Sequence, residues 1–268
     1  MGLRRAALKQ IKLMSVWKKF VAVGDSHGDL VCKSALDAAV KFVGRYKPSL
    51  FVHLGDAFDF RALRQGIKAT ESDAFEDLEA DTLAGYQSLE KLFNAAGNAE
   101  KVYMLGNHEH RLCRTAESHP NGIIRQAARD GVEKMESFCG RHKAKLLPYH
   151  IEKGVFRSGK VTFVHGFSAN NLSVKQHAEH YATNGGVCIM GHLHRLERAA
   201  ANKQGGAEGY SAGCLANIDA MTYASHRLAT SRWSNGWLFG AISSDGQQIW
   251  EAKQIGNKWL LPTGVEEM

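Results

Sequence analysis

The chain of 268 residues is 44% hydrophobic and 23% charged, which excludes a disordered polypeptide and leaves room for one large α/β domain, 1–268. Its formal charge of +7 suits a polyanionic partner such as DNA or RNA and equally an ordinary soluble surface. Five scattered cysteines, Cys32, Cys113, Cys139, Cys188 and Cys214, form no C-x-x-C pair and read as reduced thiols of a cytoplasmic protein.

The first nineteen residues form a basic arm. Between Leu3 and Lys19 six basic residues and no acidic one interrupt the apolar positions, so neither a signal-peptide core nor a membrane span is expected. The arm could lie on phosphates or simply lead into a first strand, Phe20 to Val23. That strand runs into Gly24-Asp25-Ser26-His27-Gly28-Asp29. Lys33 to Tyr46 has helical spacing, with Leu36, Val40 and Val43 on one face, and Pro48 ends it. A second apolar run, Leu50 to Leu54, stops at Gly55-Asp56 and is followed by Asp59.

A long helical region comes next. Its acidic part, Glu71 to Asp81, reads as a solvated face, with Leu78, Leu83, Leu89 and Leu92 as the packed stripe. Val102 to Leu105 is a third strand, ending in Gly106-Asn107-His108-Glu109. The stretch 110–149 holds a basic helical segment and exceeds a plain crossover, so it is expected to be an insert beside the site, either a lid or an extra packing helix. Val161 to Val164 ends in His165-Gly166, and Val187 to Met190 ends in Gly191-His192-Leu193-His194. The C-terminal part, 195–268, is β-rich: Trp237 to Ile242 and Gln247 to Lys253 are joined by Ser244-Asp245-Gly246, a hairpin signal. Before them Arg227, Arg232 and Trp233 interleave cations with aromatic rings, a pattern that grips phosphates and stacks bases or else anchors a loop.

Five times, then, an apolar run ends at a small or polar turn bearing a metal-holding group. Ligands of open α/β sheets bind beyond the carboxyl ends of strands, so Asp25, His27, Asp56, Asn107, His165, His192 and His194 are expected to converge. Residues two apart in extended backbone share a side, which lets both members of Asp25/His27 and of His192/His194 reach the site. The imidazole and oxygen donors suit manganese first, with iron, zinc or nickel as alternatives. Asp56 is expected to bridge two such ions, roughly 3.5–4 Å apart, of the kind that activates water to attack phosphorus.

In order and content these five segments resemble the calcineurin-like metallophosphoesterases, whose pattern is D-x-H, GD-x-x-D, GNH-E/D, H and GH-x-H. The resemblance implies an α/β fold with a β-sandwich core flanked by helices. It implies one ion on Asp25, His27, Asp56 and His194 and the other on Asp56, Asn107, His165 and His192. His108 of the GNH motif would be the general acid, and Asp59 would orient it as in the phosphoprotein phosphatases. Departures from the phosphatase motifs around Arg61 and Gly106, together with Gly191-His192-Leu193-His194, look more like the phosphodiesterase and Mre11-type nuclease branch. The expected function is therefore hydrolysis of phosphodiesters, first of all in nucleic acid, with Arg111, Arg227 and Arg232 as substrate contacts. The alternatives are a phosphomonoesterase acting on a phosphoprotein or nucleotide, and an inactive metal-stabilised nucleic-acid-binding protein.

Overall fold

A computed structural model describes residues 16–64, 78–221 and 228–268. Arg227, most of the basic arm and the acidic residues 71–77 lie outside the described residues. In chain order the strands are β1 (Lys18–Val23), β2 (Leu50–His53), β3 (Glu100–Met104), β4 (Ala144–Leu147), β5 (Val155–Ser158), β6 (Val161–Val164), β7 (Gly186–Met190), β8 (Leu196–Ala200), β9 (Ala207–Ala212), β10 (Gly236–Ile242), β11 (Gln247–Ile255), β12 (Lys258–Leu261) and β13 (Gly264–Glu266). The helices are α1 (Lys33–Tyr46), α2 (Leu78–Ala96), α3 (Asn107–Ser118), α4 (Gly122–Arg141) and α5 (Ser173–Tyr181).

Two sheets result. One has the order β13-β12-β11-β10-β1-β2-β3-β4, the other β5-β6-β7-β9-β8. Within them β1 to β4 run parallel, as do β6, β7 and β9.

Strands buried on both faces need apolar residues at every position, and alternation along each strand shows where they go. Phe20, Ala22, Leu50, Val52, Val102 and Met104 meet Val161, Phe163, Val187 and Ile189 in a core between the two sheets. Their neighbours Val21, Val23, Phe51 and Tyr103 turn to an outer core shared with α1, α2 and α4. Val164, Cys188 and Met190 pack outward against Val174 and Ala178 of α5. The molecule is thus a pair of sheets flanked by helices, and both sheets aim the carboxyl ends of their parallel strands at one place.

The helix expected over Lys33–Tyr46 has those bounds. It stops where Lys47 takes a left-handed φ of 51°, one residue before Pro48. The Asp245-Gly246 hairpin also forms, pairing Ile242 with Gln247. Three expectations need correction. Lys18 and Lys19, assigned to the arm, open β1. Leu78 and Leu83 are exposed, and α2 packs instead through Leu89, Leu92 and Phe93. Asp81, read as solvated, is buried and hydrogen-bonded. Of the two readings of 110–149 the packing helix holds: α4 sends Ala128, Met135, Phe138 and Cys139 into the outer core, and β4 then pairs with β3 at the sheet edge.

Candidate metal centre

The loops after β1 and β2 are stitched to each other before any side chain is considered. Asp25, His27 and Gly28 donate their backbone N–H groups to the carbonyls of Gly55, Asp56 and Ala57 (2.8–3.0 Å). This ladder carries Asp25, His27 and Asp56 at φ of 56°, 53° and 51°, and across the site His192 and His194 sit at 70° and 55°. The turns are therefore left-handed, not extended, and the expected i, i+2 geometry is corrected: tertiary contacts, not strand pleating, bring each pair together. Left-handed backbone at non-glycine residues is strained, and such strain gathers where the surrounding structure holds a site.

Glu109 fixes the second loop. Its buried carboxylate accepts from the backbone N–H groups of Asp56, Ala57, Phe58 and Gly106 (3.0, 2.6, 3.2 and 2.7 Å) and from the Tyr103 hydroxyl (2.8 Å). Asp81 does the same for the next residues, accepting from Asp59 N (2.9 Å) and Phe60 N (2.7 Å). Sequence reasoning missed both. Glu109 carried a signal, since a glutamate three residues after a helix N-cap is the acceptor of a capping box; Asp81 was hidden in an acidic run. Gly106 is required by close approach, for a Cβ there would lie 2.0 Å from Asp56 Oδ1.

Among the described residues three groups each bring their potential ligand atoms within 4.8 Å of one another: Asp25, His27 and His194; His27, Asp56 and His108; Asp56, His165 and His192. His27 Nε2 faces His194 Nε2 at 3.0 Å, and Asp25 Oδ1 stands 3.4 Å from the latter. His165 Nε2 lies 3.1 Å from Asn107 Oδ1 and 3.4 Å from Asp56 Oδ2. All seven residues picked out as ligands in the sequence are thus brought together, with His192 packed at 5.2 Å ring to ring from His165.

The donor set fits cations. Ligand atoms about 2.0–2.1 Å from a tetrahedrally bound ion lie about 3.4 Å from one another, which is the spacing found here. The far ring nitrogens are already used: His27 Nδ1–H donates to Asp59 Oδ1 (2.9 Å) and His165 Nδ1–H to the Leu54 carbonyl (2.7 Å). Each Nε2 therefore turns a lone pair inward, as metal-ligating histidines do when a carboxylate or carbonyl holds the other nitrogen. His165 Nε2, Asn107 Oδ1 and Asp56 Oδ2 then converge as acceptors, and a positive charge between them relieves their repulsion. Without an ion the same surroundings favour a proton on that nitrogen: burial opposes charge on His165, yet Asp56 outweighs it and raises the imidazole to about 9, so a cation would bind there by displacing the proton. Burial pushes His192 down to about 3, keeping it neutral and able to coordinate. Asp56 itself is held well below the usual carboxylate range: burial opposes this, but His165 and His108 prevail.

His108 and Asp59 lie at the rim. His108 Nδ1–H donates to the Asp59 carbonyl (2.6 Å) and lies 3.0 Å from Asp59 Oδ1. Asp59 thus touches two imidazoles, His27 as well as His108, where the resemblance implied only the second. Burial alone would lower the pKa of His108, but Asp56 and Asp59 together raise it. Arg111 is turned onto this pair, donating to the Asp59 carbonyl (2.9 Å) and to His108 Nε2 (3.2 Å). Arg232 is exposed and donates to Asn171 Oδ1 (2.7 Å). Trp233 packs its ring 4.5 Å from that of His194.

The family model for calcineurin-like phosphoesterases matches residues 18–196. No curated protein matches the sequence. Among solved structures, a single mutant of Vps29 from Entamoeba histolytica shares 11% identity at a TM-score of 0.46, over 92% of this chain and 96% of its own. Vacuolar Protein Sorting 29 from Cryptosporidium parvum shares 13% at 0.45, over 95% and 98%. Yfce, a phosphoesterase from E. coli, shares 13% at 0.36, over 91% of each. The family match begins with the first residue of β1 and ends with the first of β8, and so takes in every loop that carries a candidate ligand: the chain belongs to the calcineurin-like phosphoesterase family.

Proposed function

We propose that the protein is a two-metal phosphodiesterase whose first substrate class is nucleic acid. The observation that carries this reading is the place of Asp56, which shares one donor group with His27 and another with His165 and His192. A carboxylate common to two donor groups is what a bridged pair of ions requires. Manganese is the first choice for them, with iron, zinc or nickel as alternatives, because the donors are imidazole, carboxylate and amide without thiolate. Ions held there supply an activated water and offset charge on the phosphate.

The protein's own groups do the rest. Asp25, His27, Asp56 and His194 would hold one ion, and Asp56, Asn107, His165 and His192 the other. Asp59 anchors His108 through Nδ1, so the proton needed by the leaving oxygen travels from Nε2. Arg111 must release Nε2 for this, because a protonated nitrogen and a guanidinium N–H cannot both donate. It is then free to meet a phosphate oxygen.

Diesters are favoured over monoesters by the state of the arginines. Arg61 donates two N–H groups to Asp29 (2.7 and 2.6 Å), which leaves Arg111, once it has released His108, as a single cation for the phosphate. A monoester dianion wants extra cationic clamps, whereas a diester monoanion needs fewer. That all five cysteines are free thiols supports a cytoplasmic location. Among the described residues no helix is long and apolar enough to cross a membrane.

The test is turnover by manganese-loaded protein of bis(p-nitrophenyl) phosphate, p-nitrophenyl phosphate, single-stranded DNA and duplex DNA. Diester cleavage ahead of monoester cleavage is expected. A preference for the monoester would overturn the assignment, and DNA binding without turnover of any substrate would leave a nucleic-acid clamp.

A further inference from the structure

Next to the candidate metal centre opens a cleft of about 630 Å³, lined by Arg195, the neighbour of His194, and by Trp233. Its walls come from the start of β8, the end of β11 and the loop Ser231–Asn235. A volume of this size lies in the range of small-ligand sites. Trp233 is the partition, packed at 4.5 Å against His194 and lining the cleft as well.

The partition is fixed in place. Ser234 N donates to the His194 carbonyl (2.8 Å), Cys214 N donates to Ser234 O (3.1 Å), and Leu196 N to Ser234 Oγ (3.2 Å). Trp233 also packs on the small cluster of Cys214, Ala216 and Met221. An aromatic ring held this way is set before any ligand arrives, which lowers the cost of ordering a bound group.

The charge of the cleft is positive. Arg195 is neutralised by Glu197, whereas Arg232 and Lys253, both exposed, form no ion pair among the described residues, with Glu251 the carboxylate that feels Lys253. An aromatic wall combined with two cations held in no ion pair matches a base and its phosphate.

We infer that this cleft is the subsite for the nucleotide flanking the scissile phosphate, with its base against Trp233 and its outer phosphate between Arg232 and Lys253. This rests on the diesterase reading above. It assigns specificity to a loop that carries none of the ligands.

The experiment compares kcat/KM of the manganese-loaded protein for bis(p-nitrophenyl) phosphate, thymidine 5′-(p-nitrophenyl phosphate) and a 5′-phosphorylated thymidine dinucleotide. The nucleotide substrates should be preferred. Trp233→Ala should lower that preference about 5- to 100-fold, the span of a lost base stack, while Trp233→Phe should keep most of it. Arg232→Ala and Lys253→Ala, remote from the ligands, should reduce the preference for the phosphorylated dinucleotide over the unphosphorylated one. Binding of oligothymidylate should also quench tryptophan fluorescence, and Trp233→Phe should abolish the quench while retaining affinity. Equal efficiency on all three diesters, or losses that do not depend on the substrate, would overturn the subsite and leave the diesterase standing. Failure to turn over any diester would defeat both.

Discussion

Glu109 and His108 are neighbours in one helical turn with separable work, and each makes a residue-scale prediction. Glu109 is fully buried and receives five donors, four of them from the loops that carry Asp56 and Asn107. Burial and the Asp56 charge raise its pKa, against which the Gly106 N–H acts. Glu109→Gln keeps the shape but turns an amide N–H toward backbone N–H groups, leaving buried donors unmet. It should destabilise the metal-free protein by about 2–4 kcal/mol, because hydrogen bonds to a charged group are strong and a buried orphan donor is costly. Urea unfolding measures this, and an unchanged midpoint at unchanged slope would contradict it. The His108 side chain hydrogen-bonds to Asp59 and Arg111, while its backbone N–H, which donates to Asp56 Oδ1 (3.0 Å), is kept in His108→Asn, so this variant should spare folding and metal content. Turnover of a nucleic-acid diester should fall on the order of 10²–10⁴-fold. Turnover of bis(p-nitrophenyl) phosphate should fall far less, since p-nitrophenolate leaves without a proton. Loss of an ion in this variant would make His108 a ligand, a role its closeness to His27 and Asp56 leaves geometrically open.

At the scale of elements, the first turn of α2, whose Asp81 the sequence placed on a solvated face, positions the loop after β2. Asp81 reaches across to hold Asp59 and Phe60, and Gly28, at φ of 55°, passes so close that a Cβ would lie 1.7 Å from Asp81 Oδ1. Gly28→Ala combines left-handed strain with displacement of that carboxylate. It should cost about 1–3 kcal/mol and, by loosening Asp59, depress turnover more than metal binding; measuring metal affinity beside kcat tests the split, and equal losses would reject it. How legible such features were depended on their physical origin. Helix α1 could be read to the residue because its apolar face repeats at helical spacing and Pro48 closes it. The strand ends that carry the candidate ligands were legible because strands buried on both faces are uninterrupted apolar runs, and the turn residues after them stand out. The left-handed turns were not, because φ at Asp25, His27 and Asp56 is imposed by hydrogen bonds between two loops thirty residues apart in sequence. The role of 110–149 was half legible: its length left a lid and a packing helix open, and only the structure, with Phe138 and Met135 in the core and β4 extending the sheet, selects the second.

Taken whole, the molecule is two sheets that share an apolar interior and meet again at the metal centre. Asp25, Asp56 and Asn107 follow strands of the eight-stranded sheet, while His165, His192 and His194 follow strands of the five-stranded one. Ions bound by both sets would therefore tie the sheets together. Without them the same spot gathers the buried carboxylates of Asp25, Asp56 and Asp59, whose mutual repulsion only the surrounding imidazoles and N–H donors offset. Metal binding should consequently stabilise the fold as a whole and not just order a loop. Mass action gives about 2.7 kcal/mol for each site at free metal one hundred times its Kd. For a chain of this size that corresponds to a rise in Tm of about 5–10 °C per site. Thermal melts with chelator and with increasing manganese should show this shift while the transition stays a single cooperative step. Asp56→Asn should recover less than half of it, because the one carboxylate common to both donor groups is gone and both affinities fall together. A loss confined to one site would show instead as a shift cut by one ion's share with the second titration intact, and would deny Asp56 the bridging place. A Tm indifferent to chelation would deny that the sheets are joined by metal at all.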